Sequence, residues 1–216
     1  MKNTLFMLLF LALAAGLQAQ TNPKYVAAME KALAGMDTLG QGDQWLVKSN
    51  MFERIAQKET GEWLPPYYVA LCQAMIFNLD QDASRYEALC EKAERFVAVA
   101  DSLNPNNSEV YVLKSMIAGM RIRINPMVNG QKFGPLAAMT LEKAMELDPE
   151  NPRVYMNKGI SLFFTPPQWG GDPAKGKELM ELADEKFAAF KPASSIHPNW
   201  GKSTNDYILD MARKQK

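Results

Sequence analysis

Apolar residues recur at intervals of three and four positions along almost the whole chain beyond its first twenty or so residues. The first such stretch places them at Tyr25, Met29, Ala32 and Met36. This interval brings apolar side chains to one face of an α-helix. No sustained run alternates apolar and polar residues with the β-branched composition of a strand, so the pattern predicts an all-α protein.

Turn and capping residues divide the pattern into nine predicted helices. Proline stands in the first turn of several segments, where its missing N–H costs nothing. The predicted helices cover residues 23–37, 44–58, 64–79, 84–103, 108–124, 135–147, 152–164, 173–190 and 204–214. The stretches 127–134 and 165–172, which contain glycine and proline, are predicted as loops.

Two segments of the chain are near-copies of each other. Residues 103–114 read LNPNNSEVYVLK and residues 147–158 read LDPENPRVYMNK, so they align without a gap at an offset of 44 residues. A fixed period of this size is the signature of a helical repeat protein.

The spacing within these units resembles the tetratricopeptide repeat, a helix–turn–helix unit that stacks into a superhelix. An aromatic residue and a small residue four positions later open the first helix, at Tyr111 with Ser115 and at Tyr155 with Gly159. Tyr68 begins a fainter copy. The second helix continues the family pattern with Ala137, Leu141, Ala144 and Pro149. The units are longer than the standard repeat of about 34 residues, with the extra length between their two helices.

This resemblance, which covers most of residues 23–192, implies a right-handed solenoid. Its four helix hairpins are expected at 23–58, 64–103, 108–147 and 152–190, with a capping helix at 203–214, in one domain that spans 20–216. By the family's pattern, the first helices line a concave groove that binds a peptide or protein. The positions that match the groove are Val69, Gln73, Val112, Met116, Met156 and Ile160.

The first nineteen residues have the features of a cleaved signal peptide. Lys2 is followed by an apolar run at 5–13 and by small residues up to Ala19. The run is too short to span a bilayer, which predicts cleavage before Gln20 and export to the bacterial periplasm or beyond. No later segment is apolar and long enough to cross a membrane.

The charge balance gives no general attraction to nucleic acid, because the 24 Lys and Arg residues are equal in number to the 24 Asp and Glu residues. One local excess stands out. Lys114, Arg121, Arg123 and Lys132 lie in a stretch, 110–140, that has no acidic residue. The sequence leaves open whether this basic stripe holds an anionic partner or is ordinary solvated surface.

The two long insertions each carry an aromatic residue followed by glycine, at Phe133 and Trp169. Insertions in stacked repeats lie on one edge of the solenoid and often form a binding face. The alternative is that each aromatic side chain folds back over its own hairpin.

We expect no enzymatic activity, no cofactor and no metal site. The only histidine is His197, and the sequence shows no nucleophile–base pair, metal-ligand spacing or phosphate loop. Cys72 and Cys90 are interpreted either as buried thiols or as a disulfide. We expect Trp200 to pack on the last hairpin with Tyr207, Ile208 and Met211.

Two functions are carried forward. The first is an exported, non-enzymatic scaffold that binds a protein or peptide in an open groove. The second is a small-ligand-binding accessory protein of an envelope transporter, which predicts a closed, aromatic-lined cavity rather than an open groove.

Overall fold

The computed structural model describes residues 22–214, which form nine α-helices and no strand. The helices are α1 (Pro23–Leu33), α2 (Gly42–Lys58), α3 (Leu64–Leu79), α4 (Tyr86–Leu103), α5 (Ser108–Ile124), α6 (Pro126–Leu147), α7 (Pro152–Phe164), α8 (Pro173–Ala189) and α9 (Lys202–Lys214). The predicted all-α class, the number of helices and the C-terminal helix are confirmed. The predicted signal peptide at 1–19 lies outside the described residues.

Consecutive helices pack as antiparallel hairpins, α1 with α2, α3 with α4, α5 with α6, and α7 with α8. The first helices α3, α5 and α7 also touch one another and form an inner row. Because the helices alternate in direction, the connections within hairpins (34–41, 80–85, 125 and 165–172) lie on one edge, the tip edge. The connections between hairpins (59–63, 104–107 and 148–151) lie on the opposite edge, the base edge.

The near-copied segments start two successive inner helices in the same way. The side chain of Asn107 accepts a hydrogen bond from the backbone N–H of Glu109 at 2.9 Å, and that of Asn151 accepts one from Arg153 at 3.0 Å. Asparagine is among the best N-cap residues because its short side chain satisfies a free N–H of the first turn. The 44-residue period is therefore the spacing between the N-termini of two successive inner helices, α5 and α7.

Small residues set the distance between α7 and α8. A Cβ atom added to Gly159 would lie 2.8 Å from the carbonyl oxygen of Gly176, and one added to Gly176 would lie 2.7 Å from that of Gly159. The two backbones are thus in direct contact, which only glycine allows. This contact explains the small residue that the repeat pattern has at position 159.

The predicted loop at 127–134 is wrong, because α6 begins at Pro126 and continues through Pro135. The side chain of Asn125 accepts a hydrogen bond from the N–H of Val128 at 3.3 Å and caps the helix. Pro135 removes one interior hydrogen bond, to the carbonyl of Gln131, but Gln131 is exposed and water can replace the donor. The helix continues because α6 packs along α5 more extensively than any other two helices do.

Smaller differences occur at two other places. The first helix ends at Leu33 rather than near residue 37, and a single 3₁₀ turn follows at Met36–Thr38. Tyr207 of α9 is exposed, so it does not help to close the core as we expected. Leu209 and Ala212 do so instead, against Met180 of α8.

Cys72 and Cys90 are both buried free thiols, which decides between the two interpretations left open by the sequence. Burial raises the pKa of Cys72 well above its usual range and that of Cys90 to about 11. Only the thiolate reacts readily, so both side chains are expected to be inert in the folded protein.

We predict that iodoacetamide at pH 8 labels neither cysteine in the native protein and labels both after denaturation without reductant. The intact mass measured before and after each treatment tests this. A denatured, unreduced protein that takes up no label would show that a disulfide is present.

Candidate functional site

The inner row of helices is covered near the base edge by the protein's own chain. Residues 190–201, which we call the connector, join α8 to α9 and cross this surface. The hydroxyl of Tyr68 donates to the carbonyl of Ile196 at 3.1 Å, and Nε1 of Trp200 donates to the hydroxyl of Tyr67 at 2.7 Å. The open groove expected from the repeat is therefore closed along its base half.

A buried ion pair lies beneath the connector. Arg153, at the start of α7, is fully buried, and its Nη1 donates to Oε1 of Glu109 on α5 at 2.9 Å. Its Nη2 donates to the backbone carbonyl of Pro198 in the connector at 2.9 Å. One side chain thus ties α7 to both α5 and the connector.

Further contacts surround the two charges. Glu109 also accepts from the hydroxyl of Tyr67 at 3.1 Å and from the side chain of Asn151 at 3.0 Å. The guanidinium carbon of Arg153 lies 4.7 Å from the ring centroid of Phe190 and 5.3 Å from that of Trp200. Burial raises the pKa of Glu109 above its usual range, although Arg153 and the Tyr67 hydroxyl act in the opposite direction.

Sequence reasoning missed this pair, although the near-copies contained a signal for it. Glu109 and Arg153 occupy the same position of the two aligned segments, 44 residues apart, and carry opposite charges. Stacking places equivalent positions of adjacent repeats next to each other. Opposite charges at one repeat position therefore predict a contact between neighbouring hairpins.

The predicted groove positions are mostly inside the protein. Val69, Val112 and Met156 are buried, while Met116 and Ile160 are partly buried. Gln73 turns away from the inner surface and donates to the hydroxyl of Ser49 on α2 at 2.7 Å. These residues contribute more to the core than to a surface that a peptide could reach.

The basic stripe is largely neutralised by α4. Arg121 is bound by Glu87 and by Glu94, with Nη2 2.6 Å from Oε2 of Glu94. Lys114 pairs with Asp101, also on α4, at 2.7 Å. The stretch 110–140 lacks acidic residues because its partners come from the preceding helix.

Two stripe residues are placed differently. The Arg123 guanidinium stacks on Phe77, 4.9 Å from the ring centroid, and is exposed. Lys132 is exposed on α6, and its Nζ lies 4.9 Å from the ring centroid of Phe133. Within residues 22–214, Lys132 forms no ion pair. Positive charge available to a ligand therefore lies near the tip edge at Arg123 and Lys132.

Four large apolar side chains are exposed at the tip edge, and we call them the tip patch. Met127 is 75% exposed, Val128 67%, Phe164 55% and Trp169 59%. They come from the start of α6, the end of α7 and the 3₁₀ turn that follows it, in two neighbouring hairpins. Exposed apolar side chains brought to one edge of a folded protein mark an interaction site more often than scattered single ones do.

His197 lies in the connector. Its Nδ1 lies 2.7 Å from the hydroxyl of Ser194, and its ring packs at 6.0 Å against Trp63 near the base edge. Burial lowers the pKa of this imidazole below its usual value. Within residues 22–214, no His, Cys, Asp or Glu residues form a group able to hold a metal ion, and no helix there is both long and apolar enough to span a membrane.

The fold and these surfaces define an all-α protein of stacked helix hairpins. Its inner row is covered by the connector near the base edge, and its tip edge carries exposed apolar side chains. The chain is similar to the solved structure of the HusA haemophore from Porphyromonas gingivalis, with 31% sequence identity and a TM-score of 0.77. The match covers 89% of this chain and 95% of that chain. The chain therefore belongs to the same family as the HusA haemophore. No protein-family model matches it, and no curated protein does.

We predict that Arg153→Met lowers the free energy of unfolding by about 3–5 kcal/mol, because it leaves the Glu109 carboxylate buried without its counter-ion. Chemical denaturation measures this, with Arg54→Met, an exposed arginine on α2, as the matched control. The double variant Glu109→Gln/Arg153→Met should recover part of the loss. A loss no larger than that of Arg54→Met would contradict the importance of the pair.

Proposed function

We propose that this protein is an exported, non-enzymatic binding protein whose ligand is haem or a closely related tetrapyrrole. The observation that carries the proposal is its family relationship with a haemophore over nearly the full length of both chains. A haemophore is by its name a haem carrier. The connector covers the base half of the inner groove, which disfavours the peptide-binding scaffold that the repeat pattern led us to expect.

The tip patch is the proposed site. A tetrapyrrole is a flat ring with two apolar faces and carboxylate groups on one edge, so it needs exposed apolar surface beside positive charge. The tip patch supplies the exposed apolar surface through Met127, Val128, Phe164 and Trp169. Its residues come from adjacent hairpins, and packed helices are about 8–10 Å apart, a separation that a tetrapyrrole ring can bridge.

Lys132 and Arg123 are proposed to bind the carboxylates. Lys132 lies four residues after Val128 on α6, so both side chains lie on the same face of that helix. Arg123 is near the end of α5, just before the start of α6, where Met127 and Val128 of the tip patch lie. The other half of the tip edge carries Asp37, Asp43, Asp80 and Asp82 beside Arg85, whereas the α5–α8 half has Asp172 beside the two basic residues. This charge distribution directs an anionic ligand to the α5–α8 half.

The apolar contacts are large enough to provide useful affinity. Complete burial of one Val, Met or Phe side chain stabilises by about 1.5–3 kcal/mol. Partial burial of four such side chains therefore contributes several kcal/mol, from which the cost of association must be subtracted.

Met127 is the proposed contact for the iron. Its thioether is the only tip-patch group of a type that ligates haem iron, and methionine serves this role in electron-transfer haem proteins. His197 lies near the base edge, in contact with Ser194 and Trp63, and is not part of the tip patch.

We predict that the wild-type protein gives a saturable change in the haem Soret band when titrated with haemin. The double variant Met127→Ser/Val128→Ser should weaken binding at least tenfold, because about 1.4 kcal/mol of lost apolar contact corresponds to a factor of ten. The matched control is Val99→Ser/Leu103→Ser, which removes two exposed apolar side chains from the last turns of α4. Equal weakening by both double variants would place the ligand elsewhere.

A second prediction concerns charge. Lys132→Glu should weaken haemin binding severalfold at low ionic strength, and the difference from wild type should shrink as salt is added. Lys31→Glu, which reverses an exposed lysine on α1, is the control and should bind like the wild type. A salt-independent affinity that Lys132→Glu leaves unchanged would exclude this carboxylate contact.

A further inference from the structure

A cleft opens at the other half of the tip edge, between the start of α2 and the end of α3. It encloses about 360 Å³, within the range of small-ligand sites. Leu46, Ile76 and Leu79 form apolar walls, and Asp43, Asp80 and Arg85 stand around them. This cleft lies in the first and second hairpins, so it is separate from the tip patch.

Asp80 is the unusual residue of this cleft. Its side chain is only 10% exposed, and its Oδ1 accepts a hydrogen bond from the backbone N–H of Asp82 at 3.0 Å. Its Oδ2 is buried and has no hydrogen-bond donor from the protein. A buried carboxylate oxygen without a donor is costly, so it attracts a cationic donor strongly.

Arg85 shows where such a cation sits. Its Nη1 lies 2.8 Å from Oδ2 of Asp80, close enough for an ion pair, yet without the geometry of a hydrogen bond. The Arg85 side chain is 52% exposed, so it can swing into solvent at little cost. The guanidinium of Arg85 therefore occupies the position that a ligand cation would take beside Asp80.

We propose that this cleft binds an organic cation, an ammonium or guanidinium group on a compact apolar body, with Arg85 displaced. The cation pairs with Asp80 and faces Asp43, while the apolar body lies against Leu46, Ile76 and Leu79. The site thus selects a charge opposite to that of a tetrapyrrole carboxylate. The proposal does not depend on haem binding at the tip patch.

The test is an NMR titration of the folded protein with phenethylammonium, followed through the methyl signals of Leu46, Ile76 and Leu79. Its uncharged counterpart, 2-phenylethanol, has the same apolar body. We expect saturable shifts with the cation and at least tenfold weaker binding of the alcohol. Equal binding of the two, or no saturable shift with the cation, would overturn the proposal.

Variants of the two charged residues separate recognition from structural damage. Asp80→Asn should weaken phenethylammonium binding at least tenfold, whereas Asp37→Asn, an exposed aspartate outside the cleft, should leave it unchanged. Arg85→Gln should strengthen binding at least threefold because it removes the competing cation, and a merely disturbed cleft would not bind more tightly. Weaker or unchanged binding by Arg85→Gln would contradict the displacement step.

The same titration distinguishes two sources of the cation. A capped phenylalanyl-arginine dipeptide presents the same chemistry as a protein side chain. Tighter binding of the dipeptide than of phenethylammonium assigns the cleft to a side chain of a partner, and the reverse order assigns it to a free amine. Either ranking of the two affinities supports a cation site. If neither ligand binds, the cation site is excluded.

Discussion

The ion pair between Arg153 and Glu109 is the interaction on which the arrangement of this protein depends. Removing two charges from water is expensive and is offset only when their remaining donors and acceptors are satisfied. Here Tyr67, Asn151 and the carbonyl of Pro198 supply most of those contacts. The pair can therefore exist only with the third and fourth hairpins stacked and the connector in place.

This requirement explains why the proposed binding surfaces do not lie on the base half of the inner row. The connector has to cross the base half of the inner row, so the surface that a helical repeat usually offers to a partner is closed there. At the end of the connector, Gly201 has a positive φ of 106°, which glycine adopts readily. It also packs closely, because an added Cβ would lie 3.0 Å from the ring of Phe187. The four side chains of the tip patch lie at the opposite, tip edge, with positive charge near α5 and α6 and negative charge near α2 and α3.

The sequence predicted the helices and their period well, because capping residues and apolar spacing act within a few positions. It failed where contacts between residues far apart in the sequence determine the local structure. The α6 helix continues through Gly130 and Pro135 because α5 packs along it, and Arg121 is neutralised by Glu87 and Glu94 of another helix. Trp169 was predicted as a binding residue from its place in an insertion and is exposed, whereas Met127 and Val128 fell in a predicted loop and were not singled out. Membership of the tetratricopeptide repeat family stays a prediction.

The most direct test of the account is to map the haem on the protein by NMR. Ferric haemin broadens the amide signals of residues close to its paramagnetic iron. We predict the strongest broadening at residues 124–132 and 162–170, with the connector at 190–201 little affected. Broadening centred on the connector or on the inner row of helices, or none at all, would contradict a tetrapyrrole site at the tip edge.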